Sequence, residues 1–328
     1  MTTSPDWTRA VKLIDGAEAV CLACHIRPDA DALGSMLGVA QALHGRGQRV
    51  VASFGDDPFA VPAILRFLPG LELLSPPGSY PARPAVMMSF DASGPGRLGL
   101  LSGPAMAAGE LIVVDHHASN TGFGSVSLVD PGAAASAVLA AELIGRLGIA
   151  LTEDVATCLY AGLVTDTGSF RFSATTPQVH QLAARLLEAG ADPVAVSREL
   201  YDRAPFGYLG MLAASLGRAT LDGEAATGRG LVWTTVTRSD REPAKLPLDA
   251  AESVIDEIRR TDEAEVAAVL KEDDHGVWQV SVRSKDLIDV GKAATELGGG
   301  GHARAAGFSY TGRADEAIAA LRAVLDHQ

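Results

Sequence analysis

The feature that most constrains the fold is a series of short apolar runs in the first half of the chain. They read AVCLACHI at 19–26, QRVVASFG at 48–55, AVMMSF at 85–90 and LIVV at 111–114. Strands this apolar are expected in a parallel sheet covered on both faces. Between the first two runs, residues 30–43 carry Leu33, Leu37, Val39, Ala40 and Leu43 at helical spacing. Alternation of strand and helix predicts an α/β domain, a mainly parallel sheet flanked by helices.

From about residue 133 the pattern turns helical, with helices expected over 133–147, 152–163, 176–189 and 192–201. Pro177 suits the first turn of its helix and Gly190 a C-terminal cap. A further helix is expected at 206–218. Beyond it, strand patterns at 230–237, 265–270 and 277–283 and helix patterns at 250–259 and 313–325 describe a smaller α/β domain. A chain of 328 residues accommodates two domains. The expected division is a first domain at 1–190, a helical linker at 191–218 and a second domain at 219–328.

The formal net charge of −13 repels long polyanions unless basic residues are concentrated in one place. Long nucleic acid is therefore not an expected partner, whereas a small phosphate ester held by local cations is compatible with this charge. The N-terminus is polar, and no apolar run approaches the roughly 20 residues that cross a bilayer. A soluble cytoplasmic protein without a membrane partner is expected. Three cysteines, Cys21, Cys24 and Cys158, make no disulfide framework. The C-x-x-C spacing of the first two lies inside the apolar run at 19–26, which favours buried strand positions over a zinc or redox site.

Four segments carry the chemistry. His25-Ile-Arg-Pro-Asp29-Ala-Asp31 follows the first strand and opens the first helix, and in open α/β sheets ligands bind outside the carboxyl ends of strands. Helix capping accounts for one aspartate there, not for two and a histidine. Asp91 immediately follows the third strand, where a turn aspartate is the alternative. Asp115-His116-His117 closes the LIVV strand, and adjacent histidines on an extended chain point in different directions. Asp166 follows the helix at 152–163 in DTGSFRF, where an ordinary turn is the alternative. Converging carboxylates repel unless cations neutralise them. A pair of divalent ions would do so and would supply hydrolytic chemistry. Mixed histidine and carboxylate donors suit Mn²⁺ better than Ca²⁺.

In this order the motifs resemble those of the DHH phosphoesterase family. The resemblance implies His25, Asp29, Asp31, Asp91, His116 and Asp166 as ligands of two metal ions, with Asp91 bridging them. It also implies His117 as a contact to the scissile phosphate and Asp115 as its support. The segment VRSKDLIDVGKAATELGGGGHARAAG resembles the DHHA1 domain, most specifically in Gly298-Gly299-Gly300-Gly301-His302. Glycines let backbone N–H groups approach a phosphate or ribose closely, and Arg283, Lys285, His302 and Arg304 offer positive charge. Arg283, Ser284, Gly299, Gly300, Gly301, His302 and Arg304 are the expected substrate contacts. The two domains become a DHH catalytic domain and a DHHA1 substrate-binding domain, and the likeness runs from about residue 18 to 325. It extends to the bacterial nanoRNases and pAp phosphatases, some of which also take cyclic di-AMP and its linear product pApA.

The implied activity is hydrolysis of these small nucleotides to mononucleotides, by attack of a metal-bridged hydroxide on phosphorus. The smaller domain would hold the far end of the substrate, and related proteins imply a homodimer. A single-strand exonuclease would call for aromatics and basic residues along a groove, whereas aromatics are 5% here and the charge is acidic. A pyrophosphatase of the family would share the N-terminal motifs but not the glycine run. A catalytically silent nucleotide-binding regulator would be marked by lost ligands, and all six are present.

Overall fold

A computed structural model describes residues 5–327, which form two compact units divided between Arg203 and Ala204. Residues 1–4 and 328, the outer ends of the two expected domains and part of the polar N-terminus, lie outside the described residues.

The first unit begins with α1 (Pro5–Gly16), β1 (Ala19–Cys24), α2 (Ala30–Gly45), β2 (Arg49–Phe54) and β3 (Val86–Phe90). It continues through α3 (Ser102–Met106), β4 (Glu110–Asp115), β5 (Val126–Val129), α4 (Ser136–Arg146) and α5 (Glu153–Asp166), and ends with α6 (Pro177–Glu188) and α7 (Pro193–Tyr201). All five strands are parallel, in the order β2-β1-β3-β4-β5. Val20, Leu22, Cys24 and Val114 face a core shared with α2, α4 and α5. Cys21, Ala23, Met87 and Val113 face a second core with α3 and the turn before it. Burial on both faces is why these strands read as continuous apolar runs. It also disposes of the C-x-x-C spacing, since Cys21 and Cys24 are free, buried thiols on opposite faces.

The chain leaves β1 outward to β2, then returns to β3 on the other side of β1 and runs on to β4 and β5. The switch point therefore lies between β1 and β3, where a crevice opens at the carboxyl edge. Register sets what lines that edge. Cys24 pairs with Phe90 and Phe90 with Val114, so His25, Asp91 and Asp115 are the next residues on three adjacent strands.

The second unit contains α8 (Gly207–Leu216), β6 (Thr220–Asp222), the single turn α9 (Ala225–Gly228), β7 (Leu231–Val236), α10 (Arg238–Arg241) and α11 (Val254–Ile258). It closes with β8 (Val266–Glu272), β9 (Val277–Ser284), α12 (Val290–Glu296), β10 (Gly300–His302), β11 (Ala305–Thr311) and α13 (Ala314–Leu325). Its six strands run β10-β11-β9-β8-β7-β6, with only β7 and β8 parallel. The helix expected at 250–259 is broken into a 3-10 turn, Leu248–Ala251, and α11. The stretch 191–218 is divided rather than set apart as a linker. Val196 and Leu200 of α7 are buried in the first unit, and Met211 of α8 is buried against Val232 and Val236 of the second. No helix among the described residues is long and apolar enough to cross a membrane.

In the first unit α2 and α5 approach closely because glycines face each other's backbone. A Cβ on Gly34 would lie 2.4 Å from the Cys158 carbonyl oxygen, and one on Gly162 would lie 2.9 Å from Asp31 Cα. This contact brings the start of α2 to the end of α5. Gly34→Ala would force the two helices apart, because the obstructing atom is backbone. The expected loss is about 1–3 kcal/mol, the usual scale of overpacking. Gly45→Ala, with open space around the new Cβ, serves as the control and should leave the melting temperature unchanged or slightly raised. Equal melting temperatures for the two variants would refute this packing argument.

Candidate metal centre

His25, Asp91 and Asp115 are placed by strand register, and the other acidic groups by helix ends. Asp29 is the N-cap of α2, its Oδ1 accepting from the Ala32 N–H at 2.9 Å. Its Oδ2 is left 3.6 Å from His25 Nε2. Asp31 is fully buried and caps a different helix: its carboxylate accepts the N–H groups of Ser136 at 2.6 Å and Ala137 at 2.9 Å, the first turn of α4. The residue before that helix, Ala135, has no side chain able to do so. Asp166 was expected after its helix, yet α5 runs on to include it as its last residue, and Gly168 at φ +55° follows. A carboxylate at the negative end of a helix dipole favours a nearby cation.

These groups close around Asp91. His25 Nε2 is 3.4 Å from Asp91 Oδ2, and His116 Nε2 is 3.4 Å from Asp91 Oδ1. His116 Nε2 is also 3.0 Å from Asp166 Oδ2 and 3.8 Å from Asp31 Oδ2. The structure thus brings together all six residues expected as ligands, five of them in two acid–imidazole triads and Asp166 beside His116. The triads are His25–Asp29–Asp91 and Asp31–Asp91–His116, each with donor atoms within 4.8 Å of one another. Asp91 belongs to both. It is buried and held at φ +55°, a left-handed conformation that non-glycine residues adopt at a cost and that recurs at functional sites. The Ser136 hydroxyl donates to its Oδ1 at 2.9 Å. Sequence reasoning passed over Ser136, which carries no signal beyond starting a helix.

The histidines are oriented from behind. His25 Nδ1 donates to the Ile26 carbonyl at 2.8 Å, and His116 Nδ1 to the Ala133 carbonyl at 3.1 Å. A carbonyl only accepts, so in each neutral ring Nε2 carries the lone pair and faces the carboxylates, the usual arrangement of a metal-ligating histidine. His117 points differently. Its Nδ1 is 2.7 Å from Oδ1 of the buried Asp115, whose Oδ2 accepts from the Asn120 side-chain amide at 2.5 Å.

Burial opposes charge on His25, but its hydrogen bonds to the accepting carboxylates of Asp29 and Asp91 prevail and hold it up to about 10. His116 is likewise pushed up to about 12, with Asp166 and Asp91 outweighing burial. Asp91 lies well below the usual carboxylate range, since its bonds to His116 and His25 overcome burial. Burial, Asp166 and Asp91 push Asp31 up, against the opposing pull of His116. Without metal the two imidazolium groups therefore stand in for cations. The donor set, four carboxylates and two imidazoles sharing one carboxylate, fits two divalent ions of the Mn²⁺ class.

In the second unit, Arg283 lies on β9 opposite Ala305, and its Nη1 donates to the Val282 carbonyl at 3.1 Å. Ser284 is buried, its hydroxyl donating to Glu265 Oε1 at 2.8 Å. Arg304 Nη1 donates to the Ile288 carbonyl at 3.0 Å, and His302 pairs with Ala305. Three of the four glycines serve the unit's own packing. Gly298 at φ +80° ends α12, a Cβ on Gly299 would lie 2.1 Å from the Gly307 carbonyl oxygen, and one on Gly301 would lie 2.5 Å from that of Ala305. Gly298 and Gly300 both have open space where a side chain would be, and of the two only Gly300 has a backbone that other residues adopt without strain.

With both histidines protonated at neutral pH, a metal must displace a proton from each to reach Nε2. In the metal-free protein, the stability they contribute is complete below their unfolded value of about 6.5. It is lost as pH rises through about 10 for His25 and about 12 for His116. Apparent Mn²⁺ affinity should accordingly rise with pH throughout the range below about 10, where both rings still carry the proton that the metal displaces. Calorimetric titration in buffers of different ionisation enthalpy should register the released protons. An affinity independent of pH with no proton release would contradict this electrostatic account.

Comparison with known proteins agrees with this geometry. Residues 19–163 match the DHH family, N-terminal domain, and residues 239–327 match the DHHA1 domain. A Thermus thermophilus protein named bifunctional oligoribonuclease and PAP phosphatase NrnA is 35% identical over 309 residues, covering 92% of this chain and 86% of that one. A Streptococcus mutans protein named probable bifunctional oligoribonuclease and PAP phosphatase NrnA is 25% identical, covering 90% of each. The crystal structure of an exopolyphosphatase-related protein from Bacteroides fragilis has the same fold, with a TM-score of 0.86 over 100% of this chain and 98% of that one at 22% identity. With the acid–imidazole cluster at the strand ends and a relative this similar along nearly its whole length, the chain belongs to the DHH family of phosphoesterases, its DHH domain followed by a DHHA1 domain.

Proposed function

We propose that the chain is a two-metal phosphodiesterase and phosphatase. Its substrates would be short oligoribonucleotides (nanoRNA), pAp, and cyclic di-AMP with its product pApA, cleaved to mononucleotides. The observation that carries the chemistry is Asp91, one strained and buried carboxylate common to two acid–imidazole triads. The substrate class is supported by the Thermus and Streptococcus relatives, both named for oligoribonuclease and PAP phosphatase activity.

His25 and Asp29 would hold one ion, Asp31, His116 and Asp166 the other, with Asp91 between them. When bound, a pair of divalent ions, here Mn²⁺, supplies an activated water and neutralises phosphate oxygens. The chain's own groups do the rest. Asp115 accepts from His117 Nδ1 and raises its affinity for a proton against the opposing effect of burial, so His117 meets the scissile phosphate as a donor. Ser136 and the first N–H groups of α4 keep Asp91 and Asp31 in place while charge shifts. Arg283, Ser284, Gly299, Gly300, Gly301, His302 and Arg304 would contact the nucleotide. Of these Gly300 is the best supported as a place of close backbone approach and Ser284 the least, since its hydroxyl is engaged with Glu265 and its N–H with the Arg304 carbonyl. The acidic net charge supports small nucleotides over long nucleic acid as partners. We infer a cytoplasmic homodimer as the working form.

Turnover of pApA, pAp, a short oligoribonucleotide and cyclic di-AMP should be measured side by side with Mn²⁺. Mononucleotide release is expected, lost on chelation and lowered by more than about 100-fold in Asp91→Ala and His116→Ala, beyond the effect usual for outer-shell residues. Hydrolysis that survives in the double variant, or a wild-type chain inert toward all four, would reject the proposal. In the second unit, Gly300→Ala should keep the melting temperature and raise KM, whereas Gly301→Ala should destabilise the fold. A Gly300→Ala enzyme with unchanged KM would remove Gly300 from the substrate contacts.

A further inference from the structure

We propose that Asn120 is a positioning residue that fixes His117 through Asp115 and ties it to the turn carrying Asp91. The inference rests on the reading of His117 as the phosphate contact. The Asn120 side-chain amide uses every hydrogen-bonding group it has. Its Nδ2 donates to Asp115 Oδ2 at 2.5 Å and to the Ala92 carbonyl at 3.3 Å, and its Oδ1 accepts from the Gly122 N–H at 2.8 Å. Two acceptors on one side and one donor on the other leave a single orientation for the amide. The segment is strapped down at its ends as well. The Asn120 N–H donates to the His117 carbonyl at 3.1 Å, and the Thr121 N–H to the Ser93 carbonyl at 2.8 Å.

Asp115 is fully buried, so each of its oxygens needs a donor. One oxygen serves His117, by the ring Nδ1 at 2.7 Å and the backbone N–H at 3.3 Å. The other serves Asn120. The amide thus sets the plane of the carboxylate, and that plane sets the direction of the imidazole. Its second bond reaches Ala92, the residue after Asp91 in the left-handed turn. One neutral side chain therefore couples the loop after β4 to the turn after β3, keeping His117 in step with the shared carboxylate.

Asn120→Asp is isosteric but turns the donating side into an acceptor, facing Asp115 Oδ2 and the Ala92 carbonyl. Asn120→Ala removes the bonds without adding repulsion, and it carries the test if the first variant folds poorly. Both should lower kcat for pApA by roughly 10–100-fold, the scale of outer-shell changes, with KM and Mn²⁺ affinity little altered. In a His117→Ala background the same substitutions should have almost no further effect, because the group they position is gone. By NMR, the His117 Nδ1 proton should give a strongly downfield resonance in the wild type that is lost or shifted upfield in Asn120→Asp. An equal kcat loss in both backgrounds, or an unmoved resonance, would overturn the inference. If the wild type cleaves none of pApA, pAp, the oligoribonucleotide and cyclic di-AMP, the functional reading fails, and the resonance still decides the role of Asn120.

Discussion

Mutual repulsion among Asp29, Asp31, Asp91 and Asp166 is the constraint on which the rest of the first unit turns. At about 4 Å, two like charges near a protein surface repel by roughly 4 kcal/mol, and here Asp91 has an oxygen of Asp29 and an oxygen of Asp31 each within 4.8 Å of its own. The fold tolerates this only by surrounding the carboxylates with donors. Two imidazoles bond to Asp91 from either side, the start of α4 caps Asp31, and the Ser136 hydroxyl supports Asp91. A metal ion would replace the imidazolium protons in this role, and the upward push on His25 and His116 by the neighbouring carboxylates expresses the same attraction for positive charge.

Geometry of this kind requires rigid supports. The parallel sheet puts three site residues in adjacent register, and the glycine-mediated contact of α2 with α5 delivers Asp31 and Asp166 to the same point. Strain is concentrated beside the site. Asp91 is left-handed, as are Gly168, Ser169 and Phe170 just beyond Asp166. The buried Thr167 holds that second turn, its hydroxyl donating to the Leu163 carbonyl and accepting from the Phe170 N–H. Strained conformations persist where the surrounding structure over-determines them, and both turns meet that description.

Much of this was legible in the sequence, for a physical reason. His25, Asp91 and Asp115 each follow a strand apolar enough to be buried on both faces, so chain order alone put them at one edge of a sheet. Asp31 shows where such reading stops. Its role as a cap could be suspected, but the helix it caps starts 105 residues later, and nothing local announces such a pairing. Asn120 and Ser136 were invisible as site residues because their significance lies in partners across the sheet edge. The glycine run was legible as a place of close approach, yet for Gly299 and Gly301 what approaches is β11 of the same unit. Over 191–218 a helix pattern does not reveal which core buries it, and α7 and α8 go to different ones.

If Asp91 joins two metal sites into one centre, metal-loaded crystals reveal it. The most direct measurement is anomalous diffraction from crystals of the full chain grown with Mn²⁺. Two peaks about 3.5–4 Å apart are expected, the spacing of two-metal hydrolases. Asp91 should lie between them, His25 and Asp29 on one side, and Asp31, His116 and Asp166 on the other. A single peak, or peaks that leave Asp91 outside the coordination of either ion, would contradict a joined centre.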